Sequence, residues 1–245
     1  LVEGPQAVRE LARFRPSAVL DVYVREDAWD THADVVEAAR RATRWVHPVT
    51  NEVSAVLSRD SQGVCAVASL DALVRELPEP SVGETLVVLA QGRDPGNVGT
   101  IIRTADAFGA SGVITVAGTV EATNPKVVRA SAGSVFHVPV CVVPSFEEVR
   151  FLVHGRGAAL LGTSGGAGSV DLAQMLVQGV SVRSRLSQSH AWVFGNEATG
   201  LSGAQMRLCD ALVSIPMSGD AESLNVASAA TVCLFASQTV RGMAL

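Results

Sequence analysis

The sequence predicts an α/β protein: a parallel sheet with helices on both faces, preceded by a small α/β segment. Three observations predict it. Val-rich runs without charges, separated by glycine-containing loops, read as strands buried on both faces. From Thr85 onward such runs alternate with stretches of helical periodicity, the pattern of strand–helix–strand units. The segment L-P-E-P-S-V-G-E, Leu77–Glu84, puts two prolines and a glycine between this series and a shorter one before it, which suits a linker. The 245 residues then divide into a small α/β domain, residues 1–80, and a larger domain, residues 81–245.

Each element follows in order. Gly4 to Arg13 reads as a short helix and Ala18 to Val24 as a strand. Asp34 to Thr43 is helical, because Val35, Ala38, Ala39 and Ala42 recur near helical spacing. Val64 to Ala68 is a short apolar strand. Thr85 to Ala90 opens the second series. Asn97 to Phe108 follows as a helix with Val98, Ile101, Ile102, Ala105 and Phe108 on one side. Strands are expected at Gly112–Ala117, Val138–Val143, Ala158–Gly162, Ala191–Phe194 and Leu212–Ile215. A long Ala/Ser-rich helix, Leu224 to Gln238, closes the chain. There is no internal repeat and no low-complexity tract.

Composition narrows the function classes. Hydrophobic residues are 48% and charged residues 18%, which fits a folded chain and excludes a disordered one. Aromatics are only 4%, so the core rests on Val, Leu, Ala and Ile. The net charge of −5 gives no overall attraction for nucleic acid, so a basic surface has to be local. Of the 19 cations only Lys126 is a lysine; the rest are arginines, suited to bidentate phosphate contacts and to stacking. Cys65, Cys141, Cys209 and Cys233 lie far apart with no C-x-x-C pair, which argues against a metal site and fits reduced thiols in the cytoplasm. No apolar run reaches the roughly 18 residues of a membrane span, and no signal peptide is recognisable. The chain begins at Leu1 rather than at methionine, which leaves room for an N-terminal extension.

Open α/β sheets bind ligands in the loops at strand ends. Three such loops are rich in Gly, Asn, Glu and Ser. In D-P-G-N-V-G-T-I-I-R-T-A-D-A-F-G-A, Asp94 to Ala110, a turn leads to Asn97 at a helix start, a good N-cap position, with Arg103 six residues later. A capped helix carrying a solvated arginine explains that stretch equally well. In F-G-N-E-A-T-G-L-S, Phe194 to Ser202, Gly195 permits close backbone approach of a ligand, and Asn196 and Glu197 place polar groups at the strand end. The plain alternative is a strand-to-helix turn. In I-P-M-S-G-D-A-E-S-L-N-V-A-S-A-A, Ile215 to Ala230, a proline- and glycine-containing loop brings Ser223 and Asn225 to the start of a helix of small residues.

Together, in order, spacing and residue type, these three motifs resemble the SpoU/TrmH family of RNA ribose methyltransferases over about Thr85 to Leu245. The N-terminal segment is similar to the small RNA-binding domain, related to a ribosomal-protein fold, that many members carry. L-V-E-G-P-Q-A-V-R-E at the start and S-Q-G-V at Ser61 to Val64 carry that likeness. The resemblance implies a parallel α/β sheet with a C-terminal trefoil knot and a homodimer with its active site near the subunit interface. It implies S-adenosyl-L-methionine as cofactor, no metal, and 2′-O-methylation of a ribose in RNA. By position, Gly195, Ile215 and Leu224 then contact the cofactor through backbone groups, with Gly118, Met217 and Asn225 as neighbours. Asn97, Arg103, Glu197, Ser223 and Asn225 match the family's polar active-site positions. A guanidinium stays protonated in proteins, so Arg103 is expected to stabilise the developing alkoxide and grip a phosphate, oriented by Glu197, rather than act as a base. The two-domain layout resembles that of family members acting on large-subunit ribosomal RNA, so the resemblance implies 23S ribosomal RNA as substrate. The arginine-rich, lysine-poor composition suits a high-GC bacterium, in which antibiotic-resistance members of the family occur. A transfer RNA substrate, or a non-catalytic RNA-binding or ribosome-assembly role, is the alternative.

Other features are weaker. G-T-S-G-G-A-G, Gly162 to Gly168, fits neither G-x-G-x-x-G nor a P-loop, and reads as a flexible loop near the active site. The missing dinucleotide fingerprint argues against a dehydrogenase. Arg183 and Arg185 stand in a polar stretch, Val180 to His190, that reads as a solvated loop or a phosphate contact. In Asn124 to Ser134, Lys126 and Arg129 start a helix placed to touch RNA, with Ser131, Gly133 and Ser134 small enough to border the site. In the N-terminal part Arg9 and Arg41, with Arg13, Arg15, Arg40 and Arg44, form either a local basic face or scattered solvated charges.

Overall fold

The computed structural model of the protein describes residues 1–166, 168–178 and 185–243. The chain builds two sheets. The first has four strands, β1 Val2–Glu3, β2 Val19–Arg25, β3 Val46–Val49 and β4 Val64–Ala68, in the order β1-β4-β2-β3. Only the β2–β3 pair is parallel; the others are antiparallel. Helices α1 Pro5–Phe14 and α2 Ala33–Ala42 cover one face, and α3 Asn51–Leu57 follows β3. Pro5 needs no N–H partner in the first turn, so it starts α1 at no hydrogen-bonding cost. Along α1, Ala7, Val8, Leu11 and Ala12 face inward; on α2, Val35, Val36 and Ala39 do the same. They close over Val22 and Val24 of β2.

The second sheet has seven strands: β5 Thr85–Leu89, β6 Gly112–Val116, β7 Val140–Val143, β8 Ala159–Thr163, β9 Val170–Asp171, β10 His190–Phe194 and β11 Ala211–Ser214. Their order is β7-β6-β5-β10-β8-β11-β9, and every pair is parallel. Helices α4 Pro95–Ala107, α5 Pro125–Ala130, α6 Phe146–Gly155, α7 Leu172–Gln178, α8 Gly203–Leu208 and α9 Val226–Met243 flank it. Alternate residues of the central strands feed two cores. Val87, Leu89, Val113, Trp192 and Phe194 pack with α4 and α9. Leu86, Val88, Ile114, Leu160 and Val193 pack with α6. Every residue of β5 and β10 is buried, as strands covered on both faces require. The strands expected from the second series are all present, with ends shifted by one or two residues. β3, α3, α6, α7, β9 and α8 were not anticipated, because each is short or has an ambiguous period.

The expected linker carries no helix or strand, yet it is pinned. Ser81 O accepts from the Ser189 hydroxyl at 3.2 Å, and Gly83 N donates to the same hydroxyl at 3.1 Å. At its end Glu84, fully buried, takes a two-pronged hydrogen bond from Arg156 at 2.8 and 2.7 Å. That bond raises the Arg156 pKa further, so the guanidinium stays charged inside the protein. Polar ties also join the two sheets. Arg129 of α5 meets Glu3 at 3.2 Å and Asp60 at 2.7 Å, Arg15 donates to Phe136 O at 3.0 Å, and His137 sits between Glu10 and Asp106 at 3.2 and 2.9 Å.

Under α9 lies a buried polar knot of contacts. His190 Nδ1 bonds Gln188 O at 2.7 Å; a carbonyl only accepts, so Nδ1 carries the proton. Nε2 then accepts from the Ser237 hydroxyl at 2.7 Å, and that oxygen takes the Trp192 indole N–H at 2.8 Å. Burial lowers the His190 pKa to about 4, so the imidazole is neutral near pH 7. All four cysteines are unpaired thiols.

Candidate active site

The loops after β5, β10 and β11 meet at one end of the parallel sheet, and their own hydrogen bonds shape them. In the first, the N-cap is Asp94, not Asn97 as expected: its carboxylate accepts from Asn97 N at 2.7 Å. Pro95 and Gly96 occupy the first helical positions, which leaves Asn97 third in the helix with a side-chain amide not used in capping. In the second, Asn196 Oδ1 accepts from Ala198 N at 2.9 Å and Thr199 N at 3.3 Å, an Asx turn that projects Glu197 outward. Asn196 and Gly200 also exchange two backbone hydrogen bonds, at 3.0 and 2.8 Å. A Cβ on Gly195 would lie 2.3 Å from Gly200 C, so this glycine is required first by its own folded loop. In the third, Leu224 and Asn225 precede α9 rather than belonging to it. Asn225 Oδ1 accepts from Ala227 N at 2.8 Å and Ser228 N at 3.4 Å, the geometry of a helix cap.

The side chains then connect the three loops. Asn225 Nδ2 donates to Asn97 Oδ1 at 3.1 Å, and Asn97 Nδ2 donates to Glu197 Oε1 at 3.5 Å. Residues 100 and 128 positions apart in sequence therefore form one polar chain. Beside it opens a cleft of about 330 Å³ whose walls include Gly195, Glu197, Ile215, Met217, Ser223 and Leu224. This volume falls in the range of small-molecule sites. Phe194, Val213, Ile215, Leu224 and Val226 supply apolar walls; Thr163, Ser164, Glu222 and Ser223 supply polar groups. The mix suits a flat heteroaromatic base with a polar, charged tail, the chemistry of S-adenosyl-L-methionine.

Other expectations fare differently. Gly118, at φ 93°, lies in a turn that lines a separate cleft with Thr115, Glu121 and Cys141, not the one beside Glu197. Arg103 is exposed on α4 and makes no hydrogen bond or ion pair among the described residues, so Glu197 does not orient it. Six residues at about 100° each turn it onto another face than Asn97; it shares the exposed stripe of Gly96, Thr100 and Ala107. Arg129 is committed to Glu3 and Asp60. Arg9 pairs with Asp34 at 2.7 Å, and Arg41 pairs with Glu37 one turn away. Lys126 is exposed at the start of α5, while Ser131 and Ser134 are buried. Arg185 donates to Asp210 O at 3.4 Å, and Arg183 lies outside the described residues. The Gly162–Gly168 loop does reach the cleft, through Thr163, Ser164 and Gly165. Glu222 was missed, although a carboxylate beside Ser223 in a strand-end loop is the kind of residue that binds a ribose hydroxyl pair.

The SpoU rRNA Methylase family model matches residues 84–235, the span that contains all three loops. The chain belongs to that family. It is similar to the 23S rRNA (guanosine-2′-O-)-methyltransferase RlmB of Bordetella pertussis, 34% identical over 97% of this chain and 96% of that protein. It is 43% identical to the 23S rRNA (uridine(2479)-2′-O)-methyltransferase of Streptomyces viridochromogenes over 58% of this chain and 47% of that one. Among solved structures, the AdoMet-bound rRNA methyltransferase of Sinorhizobium meliloti superposes with a TM-score of 0.76 at 30% identity, covering 97% of this chain and 85% of that one. The chain is thus a methyltransferase that uses S-adenosyl-L-methionine. No helix among the described residues is long and apolar enough to cross a membrane.

Proposed function

We propose that the protein methylates a ribose 2′-hydroxyl of 23S ribosomal RNA, with the cofactor in the cleft beside Glu197. The observation that carries this reading is the Asn225–Asn97–Glu197 chain at the rim of that cleft. Backbone groups of Gly195, Ile215 and Leu224 hold the cofactor's base, and Glu222 and Ser223 its polar parts. When bound, the cofactor supplies a methyl group already activated by a sulfonium, so no metal is required of the protein. What remains is positioning of the ribose oxygen and management of its charge. Asn97 and Asn225 hold each other and Glu197 in place, and Ser223 borders the oxygen's approach. Arg103 has no competing partner among the described residues; it grips an RNA phosphate beside the target and stabilises the developing alkoxide.

The same reading includes a homodimer. Val232 and Phe235 on α9 are 37% and 56% exposed, and Phe235 lies edge-on to Phe108 at the end of α4 beyond Arg103, ring centroids 6.2 Å apart. A second copy covering that apolar strip buries it and brings Arg103 close to a subunit boundary. We further read residues 1–80 as the RNA-selecting domain and the C-terminal chain as threaded into a trefoil knot. The loops after β10 and β11, each tied to Asn97, with α9 returned onto α4, support the knot.

Labelled-methyl transfer to separated 23S rRNA and tRNA, followed by mapping of the modified ribose, tests the proposal. Methyl on a 23S ribose is the expected result. Methyl on a base, on protein or on tRNA alone refutes it. Arg103→Lys keeps the charge but loses the fork, and is expected to lose most activity.

A further inference from the structure

The N-terminal sheet carries a row of planar side chains that the chemistry above does not use. Tyr23 on β2 and His47 on β3 are direct cross-strand partners, their rings 5.1 Å apart and inclined by 24°. Trp45, just before β3, continues the row: its ring lies 6.3 Å from His47, inclined by only 16°. The Arg44 guanidinium lies 4.7 Å over Trp45. Asp21 takes part as well, holding His47 Nε2 at 2.9 Å and fixing the imidazole plane. Trp45 is half exposed in a chain with few aromatics, and His47 and Tyr23 are partly exposed.

Burial does not explain this row. The core face of β2 is formed by Val22 and Val24, whereas Tyr23 points to the opposite side of the sheet. Strand pairing does not explain it either. β3 is the edge strand, and Pro48 within it removes a donor that an added strand would need. Tyr23 and His47 stack on each other, so what the row offers to a ligand is the half-exposed Trp45 ring beside them and the Arg44 guanidinium, just past the end of α2 where Arg40 and Arg41 also stand. That is the composition with which proteins hold unpaired nucleobases and their phosphates.

We propose that Arg44, Trp45, His47 and Tyr23 form a stacking platform for single-stranded RNA, separate from the methyl-transfer site. This rests on the reading of the protein as an RNA methyltransferase and adds where the RNA is gripped. The platform is on the far edge of its sheet. β1, at the other edge, is the strand that touches α5 of the larger sheet, three strand spacings or roughly 14 Å away. The bases it stacks are therefore those flanking the target, not the methylated nucleotide. Their loss affects binding of the RNA and leaves the chemical step intact.

The test uses the full chain and a fluorescein-labelled single-stranded RNA 12-mer of mixed sequence, with a duplex of the same sequence as comparison. The parent is expected to bind the single strand and to favour it over the duplex. Trp45→Ala and His47→Ala should each weaken that binding about tenfold, and Trp45→Phe should restore most of it. On 23S rRNA the alanine variants should raise KM with kcat unchanged, and their cofactor binding, measured by calorimetry, should match the parent. Arg44→Ala, wholly on the surface, gives a second reading should Trp45→Ala misfold. Unchanged single-strand affinity in Trp45→Ala and Arg44→Ala overturns the platform, as does equal weakening for the duplex. A parent that methylates 23S rRNA without binding the 12-mer also overturns it while leaving the enzyme assignment standing. A parent that binds the 12-mer through Trp45 but methylates no RNA does the reverse.

Discussion

The two sheets draw on the same valine-rich vocabulary and meet opposite demands. In the seven-stranded sheet β5 and β10 are buried along their whole length, and function is confined to the loops at one end. In the four-stranded sheet β2 alternates between buried and accessible residues, and β3 has no buried residue at all. Helices on both faces turn the parallel sheet into a rigid frame whose strand ends can be aligned closely. The open sheet keeps one side wet and can display side chains across it. Precision chemistry sits on the first and, in our reading, RNA gripping on the second.

The sharpest way to break the frame is to remove one half of its buried ion pair. Glu84→Ala leaves Arg156 charged and unpartnered inside the protein and should cost about 3–5 kcal/mol, read as a lower midpoint in urea unfolding. A loss below about 1 kcal/mol would mean that water reaches the pair. Next comes the polar chain at the rim of the cleft. Asn97→Ala should reduce methyl transfer by roughly 10²–10³-fold while cofactor affinity changes little, the scale typical of losing one aligned polar group. Equal losses in both would place Asn97 in the cofactor's binding instead.

The His190 site distinguishes the frame from the open sheet by pH. Its folded pKa, lowered by burial to about 4, lies below the roughly 6.5 of the unfolded chain. The unfolded state therefore takes up the proton first. Stability is full above pH 6.5 and falls as pH drops toward 4, by on the order of 3 kcal/mol from this residue. His190→Gln should flatten that part of the pH–stability curve; a parallel curve would show that other groups account for it. The smallest effect is expected between the sheets. Arg129→Ala removes contacts to Glu3 and Asp60 that are partly exposed, and should cost about 1 kcal/mol or less in thermal unfolding. A larger loss would make the two sheets one cooperative unit held by that arginine.

Much of this was legible in the sequence. The long apolar runs at Thr85, Gly112 and Ala191 could only be buried strands, and the three polar loops stood out because each broke such a pattern with Asn, Glu and Ser. Asn97 was misplaced by three residues because Asp94 and Asn97 are both good caps, and only the backbone path decides which one is used. Arg9, Arg41 and Arg129 looked like free cations because an ion pair with Asp34, Glu37 or Asp60 leaves no periodic trace. β3 was invisible: four residues containing a proline carry almost no strand signal.

The sequence by itself determined the fold class, the family and the residue types of the active site, because burial period and loop chemistry are local properties of a chain. The tertiary structure alone decided which side chains meet. Asn225 reaches Asn97 across 128 positions, Arg103 lies on another face of α4 from Asn97, and Trp45 comes into line with His47 and Tyr23. Such contacts depend on strand order and helix rotation, which packing of the whole molecule sets and no short window of sequence encodes.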